Sequence, residues 1–317
     1  MQTQQGTPIT RSEAEKMARR SRHPAERILS LLSILLTVGI LVFLIFIIAF
    51  SGRTETEKTI FASRLADILD IDGSSAGALV KSGAWGVLVI YLIIYARYWL
   101  ALFNEKTRAD SEDLTCSDII SNEPKKIMEH YANMLGMKDP PVLYFSDHGE
   151  NVTIRNVVTY GETYLVLSTS VNLEVKEDPR LPTLRYKLAT KMGNIFMGYN
   201  SILFQVLTLP GRIIPIFKNL YIKSLIYSSD RMALEILAKD TTCAVSPEEV
   251  AKYLFLREYN KRVHSTINIE QAMQNREERF KEQGRFEKAL LRLFSEKPPL
   301  MDRINAVRDT SKYGPMI

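Results

Sequence analysis

Residues 28–50 form an unbroken run without a charged side chain, interrupted only by Ser30, Ser33, Thr37 and Gly39. At 1.5 Å rise per residue, a helix of that length crosses roughly 30 Å of hydrocarbon, so the run predicts a transmembrane helix. It is too long for the apolar core of a signal peptide, and the polar leader of 27 residues is too long for the charged region that precedes one. A second span is predicted over 80–103. There, 84–96 is free of charge, Lys81 stands at one end, and Tyr95, Arg97, Tyr98 and Trp99 mark the other interface.

The basic residues set the orientation. Arg11, Lys16, Arg19, Arg20, Arg22 and Arg27 precede the first span, whereas the longer loop between the spans mixes Arg53, Lys58, Arg64 and Lys81 with acidic residues. By the positive-inside rule the leader 1–27 and everything in 104–317 are cytoplasmic, and the loop 51–79 is external. The net charge of +5 and pI near 9.0 are explained by these flanks, so a membrane surface and not nucleic acid is the predicted partner. Apolar residues at 46% and charged residues at 24% exclude a disordered or fibrous chain. Cys116 and Cys243 make neither a disulfide framework nor a Cys-x-x-Cys pair, and His23, His130, His148 and His264 show no metal-ligand spacing. No cofactor is expected.

Thr10-Arg-Ser-Glu13 is a capping box that opens a short basic helix. Beyond the spans, the pattern predicts a helix over 123–136, strands over 142–146, 152–158 and 163–168, and helices over 181–200, 219–239, 247–259 and 268–295. The fold class is therefore α+β, a small β-sheet followed by a mostly helical half. Residues 202–217 are apolar but broken by Gln205, Pro210, Gly211, Arg212 and Pro215, which suits the core or the membrane surface equally. Leu184, Leu188, Met192 and Ile195 make a core stripe on the 181–200 helix, and Gly193 and Gly198 fit close approach of neighbouring elements. Asn151-Val-Thr153 has the form of a glycosylation site, which a cytoplasmic strand would never expose to that machinery.

Residues 188–199 have the frame of a zinc-protease helix, H-E-x-x-H-x-x-x-G-H, with its chemistry replaced. Two His four residues apart on one helical face hold zinc, and the Glu between them takes a proton from the bound water. Here those positions carry Thr190, Asn194 and Lys191, and Tyr199 stands for the trailing His. A hydroxyl and an amide bind zinc poorly, and a cationic Lys repels it.

Other segments fall in matching order. His23-Pro-Ala-Glu26 precedes the first span, and Tyr95-Ala-Arg97 closes the second. Gly149-Glu-Asn151 leads into the first edge-strand residues, and Tyr164-Leu-Val-Leu-Ser168 precedes the frame helix. Tyr227-Ser-Ser-Asp-Arg231 and Lys297-Pro-Pro-Leu-Met-Asp-Arg-Ile304 follow it. In these segments the chain resembles the HtpX-type membrane zinc metallopeptidases, the gluzincin family that includes the CaaX prenyl protease. The resemblance spans about 23–307. It implies a zincin-like cytoplasmic domain behind two N-terminal membrane helices, in a bacterial inner membrane. It also places Ile226 at the third zinc-ligand position and Asp230 at the residue that supports the site from behind. Thr190, Lys191, Asn194, Ile226 and Asp230 are thus vestigial active-site positions, and neither zinc nor peptidase activity carries over.

The function this predicts is a catalytically inactive scaffold or interaction subunit of a membrane complex. Ser30, Ser33 and Thr37 lie on one face of the first span and are candidate contacts for a membrane protein partner. Asn151, Val152 and Thr153, on the edge strand, are candidates for pairing with an extended segment. Two alternatives stay open: a regulator of an active relative, and an enzyme with displaced chemistry. Asp147, His148 and Glu150 are the one local His and carboxylate group for the latter, although a polar turn explains them as well.

Overall fold

The structure is a computed structural model, and it describes residues 9–51, 86, 89–90, 93, 96–97, 100, 118–146, 154–159, 162–168, 180–258 and 268–317. The chain divides into two compact units, Met1–Ser33 with Lys106–Ile317, and Ile34–Glu105.

In the first unit, α1 (Arg11–Ser21) begins at the Thr10 capping box. Thr10 Oγ1 accepts from Glu13 N at 3.3 Å, and the Glu13 carboxylate accepts from Thr10 N at 3.0 Å. Helix α2 (Pro24–Ser51) follows α1 after a two-residue link, Arg22 and His23, and runs on into the second unit. Its segment Pro24–Phe43, 20 residues of mean hydropathy 2.0, is long and apolar enough to cross a membrane. In the second unit the described residues of the expected second span, 86, 89, 90, 93, 96, 97 and 100, are helical. The rest of that span and the loop 52–79 lie outside the described residues.

Helix α3 (Asp118–Met134) begins earlier than the pattern suggests and stops before Gly136, whose φ of +62° favours a residue without a Cβ. Three strands follow: β1 (Val142–Ser146), β2 (Ile154–Thr159) and β3 (Glu162–Ser168). The sheet order is β1-β3-β2. β1 runs parallel to β3, with Val142 opposite Tyr164, and β2 runs antiparallel to it, with Ile154 opposite Leu167. Alternate β3 residues Leu165 and Leu167 point into the core, the period of a strand with one buried face.

The described residues are mainly helical. Helices α4 (Pro182–Phe196), α5 (Ile202–Leu207), α6 (Pro210–Ile213), α7 (Pro215–Lys239) and α8 (Pro247–Glu258) come next, then α9 (Ile269–Glu282), α10 (Arg285–Phe294) and α11 (Leu300–Arg308). α4 and α7 form the central pair, with α3 and α8 against α4, and α1, α6, α10 and α11 against α7. The stripe Leu184, Leu188 and Met192 is fully buried there and faces a core shared with Met232, Ile236 and Leu237. Burying each such side chain contributes roughly 1.5–3 kcal/mol before entropy is counted.

Three sequence expectations change. The single helix over 268–295 is two helices, because Gln283 and Gly284 are extended (ψ 136° and 153°) between α9 and α10. Gly193 does serve close approach, since a Cβ there would lie 2.7 Å from Met232 Cγ. Gly198 does not: a Cβ would meet nothing within 4 Å, and its φ of +79° is the reason for glycine. The apolar stretch 202–217 is neither wholly core nor wholly surface. Thr208, Leu209, Pro210 and Gly211 are buried, while Leu203, Ile213, Ile214 and Ile216 are exposed.

Candidate functional site

The frame helix is α4, and it packs along α7, so the positions the motif comparison singles out meet at one seam. Thr190, half-buried, turns its hydroxyl back to the Tyr186 carbonyl one turn earlier at 2.8 Å. One turn further on, the Asn194 amide oxygen accepts from Ser229 Oγ on α7 at 2.5 Å. Lys191 and Ile226 are half-buried on α4 and α7 respectively. The neighbouring Lys187 holds its ammonium 5.2 Å from the Tyr253 ring centroid.

Asp230 is buried beneath these positions. It accepts from Tyr186 Oη at 2.6 Å, from Arg303 Nε at 2.6 Å and from Arg303 Nη2 at 2.8 Å. The guanidinium thus grips both carboxylate oxygens, the strong planar form of an ion pair. Burial, and then the adjacent Asp230 charge, push the Tyr186 hydroxyl well above its ordinary range. For Arg303 burial opposes the charge, but Asp230 and Tyr186 outweigh it and hold the guanidinium protonated. Ile304 and Val307 of α11 sit in the same core, so the triad ties α4, α7 and α11 together.

These side chains do not fit a zinc ion. A hydroxyl committed to a helical carbonyl, an amide oxygen that accepts from Ser229, and an aliphatic Ile226 do not make a zinc donor set. Among the described residues no three His, Cys, Asp or Glu side chains gather as metal ligands.

A second polar knot lies at the entry to α2. The Glu26 carboxylate is fully buried and accepts from Tyr199 Oη and Ser228 Oγ, both at 2.6 Å. His23 is buried beside it. Its backbone N–H donates to Ser228 Oγ at 2.8 Å, its Nδ1 accepts from Ala25 N at 3.1 Å, and its Nε2 lies 2.9 Å from the Gly314 carbonyl. That pattern requires the proton on Nε2, and burial lowers the His23 pKa, which keeps the ring neutral. The ring stacks on Tyr227 and meets Tyr313 edge-on, and Tyr313 in turn lies 4.3 Å under the Arg231 guanidinium. Tyr199, just beyond the end of α4, therefore joins that helix to the start of the apolar helix.

Sequence reading singled out His23-Pro-Ala-Glu26 and Tyr199 separately but did not connect them. No local signal could, since 173 residues separate Glu26 from Tyr199 and 202 separate it from Ser228.

The small polar residues of α2 differ in their surroundings. Ser33 is buried within its own chain and accepts from Gly211 N of α6 at 2.9 Å, so its hydroxyl is already occupied. The physical reason is the usual one for small residues on an apolar helix, close approach, and the neighbour at Ser33 is α6. A Cβ at Gly211 would lie 3.0 Å from Ser33 Oγ. Thr37 is also buried, and Ser30 is half-buried with a hydroxyl that has no hydrogen-bond partner among the described residues. Asn151, Val152 and Thr153 lie outside the described residues, as do Asp147, His148 and Glu150. The strand itself, β2, begins at Ile154 and is an outer strand of the sheet among the described residues.

No protein-family model matches the chain, and no curated protein or solved structure shows significant similarity to it.

Proposed function

We propose that this chain is a catalytically inactive, HtpX-like membrane protein whose folded part acts as a scaffold or interaction subunit on the cytoplasmic side of a bacterial inner membrane. Helix α2 and a second span over 80–103 anchor it. The observation that carries this reading is the seam between α4 and α7. At the positions where the resembling family places its zinc ligands, Asn194 is bonded to Ser229 and Thr190 to its own helix. Polar groups there stabilise the packing of two helices and are not held open toward a substrate.

An interaction role is supported by β2, which among the described residues pairs on one side only, with β3. An edge strand offers a row of backbone donors and acceptors to an extended segment of a partner.

The test is gentle detergent extraction of the full chain from its native membrane, followed by elemental analysis and identification of co-purifying chains. The expected result is zinc far below stoichiometric and a membrane protein partner retained through purification. About one zinc per chain, lost in Asn194→Ala, would instead show a working metal centre and end the proposal. If the partner is an active metallopeptidase, the scaffold is a regulator of its relative.

A further inference from the structure

A cleft of about 550 Å³ opens beside the first turn of α2, lined by Arg11, Arg19, Arg22 and Arg27 with Glu15 as its one carboxylate. Ala18, Phe196 and Met197 supply its apolar wall. Two of the cations are already engaged. Arg11 pairs with Glu15 at 3.4 Å, and Arg22 donates to the Met197 carbonyl at 2.8 Å while lying 3.8 Å from Glu26. The other two are not neutralised. Arg27 is exposed and spends one N–H on the Arg19 carbonyl at 2.6 Å, and Arg19, also exposed, has no carboxylate in ion-pair reach among the described residues.

The location matters as much as the charge. Arg27 immediately precedes Ile28, where the uncharged run begins, and Ile28, Leu31 and Leu32 are exposed apolar residues one turn further along α2. If α2 crosses a bilayer, the cleft lies at the depth of the lipid head groups. There an anion can meet the guanidiniums while the carbon skeleton next to it rests on Phe196 and Met197. A guanidinium presents a planar fork that matches two phosphate oxygens, and the head-group region is where basic residues capture anionic lipid. Helix α1 is held in place for this by its packing on α7 and by the capping box at its start.

We propose that this cleft binds the phosphate of an anionic phospholipid head group. The proposal rests on the membrane placement of α2 and not on the scaffold reading.

The test uses the full chain in mild detergent, with native mass spectrometry reading the retention of added phosphatidylglycerol against phosphatidylcholine. Wild type should retain phosphatidylglycerol selectively, and millimolar inorganic phosphate should not displace it. Removing two surface guanidiniums in Arg19→Gln/Arg27→Gln should lower that selectivity about thirtyfold, from roughly fivefold for each cation. The charge-conserving pair Arg19→Lys/Arg27→Lys should keep most of it. Circular dichroism and resistance to carbonate extraction check that each variant is folded and embedded. A folded, embedded Gln variant with wild-type selectivity overturns the proposal. Displacement by inorganic phosphate also overturns it, because the cleft would then be a site for soluble anions. Loss of membrane embedding by the wild-type chain would refute the placement of α2 first.

Discussion

Cutting the Asp230–Arg303 pair should damage the fold far more than any chemistry. Asp230→Ala would strand the Arg303 guanidinium, which gives Nε and Nη2 to that carboxylate at 2.6 and 2.8 Å, and would remove the acceptor of Tyr186 Oη. Removing one partner of a buried ion pair costs about 3–5 kcal/mol, because the remaining charge keeps its desolvation penalty. At roughly 2–4 °C per kcal/mol for a domain of this size, the melting temperature should fall by about 6–20 °C. Arg303→Met should fall comparably, since it leaves a buried carboxylate. Asp230→Ala/Arg303→Met removes both charges, so neither partner keeps an uncompensated desolvation penalty, and the double variant should recover most of the loss, keeping about 1–3 kcal/mol for the Tyr186 hydroxyl left without its acceptor. The assay is ellipticity at 222 nm against temperature for the four detergent-solubilised proteins, read as a double-mutant cycle. Single variants that melt with wild type, or a double variant that loses the sum of both, would refute the reasoning.

Two further outcomes follow from the same core. In Gly314→Ala the new Cβ would overlap the Tyr227 ring atoms, so the tail must shift and release His23 Nε2. A loss of about 1–3 kcal/mol is expected, with faster proteolytic trimming beyond residue 308; identical trimming rates would count against the clamp. Lys223 is fully buried on α7, with no hydrogen-bond partner for its ammonium among the described residues, and burial pushes its pKa down to about 8 despite the opposing charge of Asp302. A base whose folded pKa is depressed is least favourable below that folded value, and the penalty fades as pH rises from about 8 toward the ordinary lysine pKa. Lys223→Met should therefore raise the melting temperature at pH 7 and raise it less at pH 9.5; an equal gain at both would show that the charge is not the cause.

Local chemistry was easy to read and distant pairing was not. The capping box needs only Thr10 and Glu13, and it forms as the spacing demands. The stripe through Leu184, Leu188 and Met192 announces a buried helical face, and the three strands fall close to where alternation places them. The break at Gly284 was missed because 268–295 keeps helical character on both sides, and a lone Gly inside such a pattern weakens a helix by only about 1 kcal/mol. The site divides the same way. The frame at Thr190, Asn194 and Gly198 could be seen as a motif, and the expectation that these side chains bind zinc poorly followed from their chemistry. That Asn194 turns to Ser229, and that Ser33 serves Gly211, depends on how α4 and α2 meet helices far along the chain.

The contacts around His23 also impose an order of events on a ribosome. His23 depends on Ser228, 205 residues later, and on Gly314, 291 residues later. At synthesis rates of 5–20 residues per second, about 15–60 s separates the emergence of the apolar helix from that of its last clamp. Glu26 waits 173 residues for Tyr199 and 202 for Ser228 and stays hydrated until they emerge, so the start of α2 is a wet, charged handle through most of that interval. Docking then comes last, as the step that dries the handle.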